Sequence, residues 1–340
     1  MSFNEVKELG KMNRSQVVAS LQMNYQAIKE GKGKWFDKRV AYTIARSFVD
    51  KERHFSDTDF RRMEEILQGE LKMFNVLVQP VRGILLGMLL ANGKSKELAI
   101  HTLLTDYQRL RDVGFRASSY SYFSAYLLQF TETAEKEFVV RRGQSIFEEI
   151  KTHHYFLTGA EDGSIAIALA QQEQLESLTT KQVGDLAEEY YQALNECGFH
   201  KSNQLQFAAA TAAMLTGEFS IELVEEVKNV IDELKQLGLR FRPEFYNSII
   251  TLGFLATLKK VDFRVLQEYL ELLDEKTNLR FYKDFRYSLA LGLLIHEEMS
   301  ILSNDNLNIS ALTITMMMAQ EASAAAAAIA VSVAASNSSS

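Results

Sequence analysis

The stretch THHYFLTGAEDGS, residues 152–164, places the adjacent histidines His153 and His154 just ahead of Glu161 and Asp162. Side chains of these types could ligate a divalent metal ion or relay a proton. Their spacing matches no ready-made metal motif. Neighbours on a helix project about 100° apart, whereas the zinc-protease pattern sets two histidines four residues apart on one face. A second reading is local: Thr158 and Glu161 have the S/T-x-x-E spacing of a capping box, which would commit the acids to starting the next helix. The capping reading is preferred, with His153, His154, Glu161 and Asp162 kept as the candidate metal or acid–base set.

The remaining histidines stand apart. His54 falls in a charged loop, His101 within an amphipathic helix, His200 just after a helix end, and His296 beside Glu297 and Glu298. None comes with a nucleophile and an orienting third group in readable order. Cys197, the single cysteine, precedes Gly198 at an expected helix C-terminus, where the dipole disfavours a thiolate. One cysteine also excludes an intramolecular disulfide and a zinc site built mainly on thiolates. GKGK at 31–34 has neither the spacing nor the preceding strand of a phosphate-binding loop. These residues therefore point to no catalytic residue and no cofactor.

The elements that must carry such residues are helical. The 340 residues are 47% apolar, enough for a sizeable core, and contain only two prolines, Pro80 and Pro243, so long uninterrupted helices are permitted. Val183, Leu186, Ala187, Tyr190 and Leu194 follow the period of one helix face and end at Gly198-Phe199, the pattern of a helix closed by a left-handed glycine with an apolar residue folding back. The same grammar leads to Gly114-Phe115 and to Gly238-Leu239. Taking the last buried residue before each such corner gives Ile28, Leu67, Leu110, Ile150, Leu194, Leu234 and Leu273, spaced 39, 43, 40, 44, 40 and 39 residues. Two units depart: Glu64 stands three residues before Leu67 where other units have a large apolar residue, and Thr277-Asn278 replaces the glycine, with Asn278 expected in the left-handed cap.

A second helix rich in small and aromatic residues follows each corner, as in YSYFSAYLLQF and LQFAAATAAML. The predicted fold is all-α: an α-solenoid-like array of about seven helical hairpins with a period near forty residues, the second helices forming the inner layer. It is read as a single domain over residues 1–310. Residues 311–340 are read as a Met/Ala-rich helix with a Ser-rich tail, its one charge being Glu321. Capping or groove filling is preferred for that tail over membrane association.

LKQLGLRFRPEFYNSIITL, residues 234–252, resembles one pentatricopeptide unit, although the period near forty and the net charge of -7 do not support RNA reading. Local basic clusters at 32–39 and 239–245 read as solvated helix ends. Through HHYFLTGAED, the following IAIALA, the Gly-Phe corners and the Met- and Ala-rich tail, the chain resembles an uncharacterised bacterial family of Bacillus and relatives, domain of unknown function 4003. That resemblance implies no activity. The expectation is a cytoplasmic, non-enzymatic interaction scaffold that binds a protein or peptide and no nucleic acid, with metal binding or catalysis at the histidine cluster, or membrane association through the tail, as alternatives.

Overall fold

The structure is a computed structural model that describes residues 12–300 apart from 34–35, 72–75, 78, 155–158 and 160–161. Among the described residues the chain forms fourteen α-helices and no strand. The helices follow one another in seven pairs: α1 (Arg14–Lys32) with α2 (Lys38–Val49), α3 (Asp57–Glu70) with α4 (Val81–Ala91), and α5 (Lys96–Asp112) with α6 (Ser121–Leu127). Next come α7 (Lys136–His153) with α8 (Asp162–Ala170), α9 (Thr180–Glu196) with α10 (Asn203–Thr216), α11 (Ile221–Gln236) with α12 (Tyr246–Leu258), and α13 (Arg264–Lys276) with α14 (Lys283–Met299).

The first helices are amphipathic and form an outer layer. Ser56, Ser95, Thr179 and Ser220 cap α3, α5, α9 and α11, each side chain accepting a backbone N–H of the first turn. Each then buries one stripe, which in α9 is Val183, Leu186, Ala187, Tyr190, Tyr191 and Leu194. The second helices are the more deeply buried: every residue of α8 is buried, and so is α10 from Leu205 to Leu215. An inner layer of this kind needs small residues. At Gly253 of α12 a Cβ would stand 2.6 Å from Val227 of α11, so the pair packs at glycine distance.

The seven anchor residues are all buried. At three corners they also serve as hydrogen-bond acceptors: the N–H of Phe115, Phe199 and Leu239 reaches back to the carbonyl of Leu110, Leu194 and Leu234. Gly114, Gly198 and Gly238 between them have φ of +111°, +97° and +74°. Both features define the Schellman arrangement that the spacing predicts. The seventh corner differs. Thr277 there is extended (φ -122°, ψ 167°), its hydroxyl and N–H both bond the Leu273 carbonyl, and Asn278 does not adopt positive φ as expected. Asn278 instead donates to the Tyr25 hydroxyl of α1. Glu64, the other departure, is ion-paired with Lys32 across the first two pairs.

That contact between α13's corner and α1 belongs to a larger joint. Inner helices neighbour one another in the order α2, α4, α6, α8, α10, α12, α14, and α13 packs directly against α1. Where α14 meets α2, a Cβ on Gly292 would lie 2.2 Å from the Arg46 guanidinium. The succession of neighbours is thus cyclic, a feature about which the sequence pattern says nothing. No described helix is long and apolar enough to cross a membrane, and the tail reading for 311–340 lies outside the described residues.

Candidate functional site

The two histidines sit at the C-terminal end of α7, with His154 as its C-cap. The next outer helix, α9, comes close because Gly184 faces α7; a Cβ there would stand 2.9 Å from that of Glu149. This approach presents Asp185, Glu188 and Tyr191, spaced three apart along α9, to the end of α7. His154 Nε2 lies 2.6 Å from Glu188 Oε2, and His153 Nε2 lies 3.4 Å from Asp185 Oδ1. The His154 imidazole also packs on the Tyr191 ring, centroid to centroid 4.0 Å. His153, His154, Glu188 and Tyr191, together with Ile150, Ala187 and Gln206, line a shallow depression between the fourth and fifth pairs.

Of the candidate set of four, His153, His154 and Asp162 lie among the described residues. Asp162 is fully buried at the start of α8 and accepts the N–H of Gly159 at 2.7 Å, a local closure of the preceding loop. Glu161 and Thr158 lie outside the described residues, as does the capping box they would form. Among the described residues no group of three or more His, Cys, Asp or Glu side chains is placed to hold a metal ion.

The electrostatics of the corner are those of separate pairs. A side-chain bond from Lys181, with His153 nearby, holds the Asp185 carboxyl below the usual range. Burial, reinforced by the charge of Glu188, pushes the Tyr191 phenol up. An imidazole beside a carboxylate is half of an acid–base arrangement, and among the described residues that line the depression none is Ser, Thr or Cys, the usual hydroxyl and thiol nucleophiles. Burial likewise pushes the Cys197 thiol up, in the direction expected from its helix end.

Sequence reasoning missed Asp185, Glu188 and Tyr191 because the partner helix is fixed only by stacking between pairs. The available signal was Gly184, an isolated glycine within a helical pattern, which marks close approach. A second polar group was also missed. Arg46, fully buried in the apolar helix α2, lies 3.6 Å from Asp50 and donates to the Gly292 carbonyl at 3.4 Å, while His296 Nδ1 stands 3.7 Å from the same Asp50. His54, His101 and His200 are exposed.

A family model described as "Protein of unknown function (DUF4003)" matches residues 24–323. The chain is also similar to "Uncharacterized protein YeaA" of Bacillus subtilis (strain 168), 22% identical over 265 residues that cover 77% of this chain and 78% of the relative. No solved structure matches it.

Proposed function

The chain belongs to the DUF4003 family, whose description assigns no activity, and from that premise we propose a non-enzymatic interaction scaffold: an α-solenoid-like array closed on itself that binds a protein or peptide. The contact surface in this reading is the α7–α9 corner. The observation that carries it is the pairing of His153 with Asp185 and of His154 with Glu188. Groups with acid–base capacity are engaged with one another at the rim of a shallow depression, beside the aromatic face of Tyr191. The inner helices α8 and α10 beside this corner are buried, so a partner here would be met by corners and outer surfaces.

Affinity purification of the tagged full chain from a native lysate tests this. One partner in fixed stoichiometry is expected with the wild type and is lost with His154→Ala combined with Glu188→Ala, while the melting temperature changes little. Absence of any stoichiometric partner, or its full retention by the double variant, contradicts the reading.

A further inference from the structure

The tripeptide Leu-Arg-Phe occurs at 239–241 and again at 279–281, forty residues apart, at the corners of the sixth and seventh pairs. Leu239 and Leu279 are both buried. The phenylalanines part company. Phe241 packs edge-on against Phe199 of the preceding pair at 4.9 Å and against Tyr246 at 5.1 Å. Phe281 in the same register is 93% exposed, so of the repeated Leu-Phe pair only Leu279 packs at this corner. At this exposure the Phe281 side chain buries almost no apolar area in the fold.

The charge around Phe281 comes from three segments that the closed array brings together. Arg242 of the sixth pair bonds Asp284 of the seventh at 2.6 Å. Lys38 and Arg39, at the start of α2, lie over the Tyr282 ring at 5.9 and 5.8 Å. The two basic clusters read as solvated helix ends thus become neighbours of one surface. Its carboxylates are engaged: Asp37 by Arg39, Asp284 by Arg242, Asp274 by Arg286, with Glu244 3.6 Å from Arg242. Arg240, Arg280 and Lys283 are exposed and have no ion pair among the described residues. The surplus is local, since the whole chain carries -7.

We propose that this corner face, over the sixth, seventh and first pairs, is a contact surface for an anionic lipid membrane, with Phe281 entering the headgroup–acyl boundary and Arg240, Arg280 and Lys283 meeting lipid phosphates. Long cationic side chains keep their charge at the headgroups while an adjacent aromatic passes below them. Basic groups near an anionic leaflet add attraction that decays within a Debye length. The projecting phenylalanine favours a soft planar partner over a folded peptide, which would use a concavity such as the depression between α7 and α9. This surface is separate from that depression and does not depend on the partner proposed for it.

Co-sedimentation of the full chain with phosphatidylglycerol–phosphatidylcholine vesicles, against vesicles of phosphatidylcholine alone, tests the proposal. Binding is expected only to the anionic vesicles and weakens as salt rises. Phe281→Ser should reduce partitioning about tenfold, the range for withdrawing one large apolar side chain. Arg280→Glu with Lys283→Glu should reduce it roughly thirtyfold or more. Both variants change exposed side chains, and an unaltered melting curve confirms that the fold is intact. No anionic-vesicle binding overturns the proposal. Equal binding by wild type and both variants does so too, by locating membrane contact elsewhere, as does capture of an acidic peptide with vesicles ignored.

Discussion

The α9–α10 corner and the joint where the seventh pair meets the first hold similar helices together by different means. At the corner, Leu194 and Phe199 are buried, Gly198 turns the chain, and Phe199 packs on Tyr246 of the sixth pair at 4.4 Å. Nearly everything needed lies within a few residues, and neighbouring pairs repeat it. At the joint, Arg14 of α1 bonds Glu268 at 2.6 Å and Glu297 at 2.8 Å, Lys276 reaches Ser15, and Arg46 and His296 converge on Asp50. The corner is apolar and local, whereas the joint is polar and spans the chain. Repetition builds the pairs; specific polar contacts mark where the last one meets the first.

Four substitutions sharpen that contrast. Phe199→Ala should cost the most, about 3–5 kcal/mol by urea denaturation, because it opens a cavity among Leu194, Phe241 and Tyr246. A loss under about 1 kcal/mol would mean that the corner is not a packing unit. Arg46→Met should cost about 3 kcal/mol, since it leaves Asp50 buried beside His296 alone. Adding Asp50→Asn should restore part of that loss; strictly additive effects would show that the two groups do not interact. Gly198→Ala should cost about 1 kcal/mol. No atom lies within 4 Å of a Cβ placed there, so the cost is one of backbone conformation at φ +97°.

The same contrast explains what could be read in advance. The anchors Ile28 to Leu273, the glycine corners and the buried second helices follow from periodicity and capping, which act over one or two turns. Asn278 was misread because Thr277 bonds the helix end with its own hydroxyl, which releases Asn278 from the cap. His153 and His154 were visible as chemistry-bearing residues, but their partners Asp185 and Glu188 depend on how one pair stacks on the next. Arg14 and Glu297 bond across 283 residues of sequence, and nothing local marks either as the other's partner. A repeat pattern constrains neighbours in the series and is silent about whether its ends meet.

Closure is therefore the claim to test most directly, by pulsed electron–electron spin resonance on the full chain. Spin labels would replace Met23 on α1 and Glu271 on α13, both exposed, in a Cys197→Ser background. The account predicts one narrow, short distance, set by helices whose axes lie about 8–10 Å apart plus the label tethers. A broad distribution centred beyond about 50 Å, as several hairpins strung open at that same spacing would give, would contradict it.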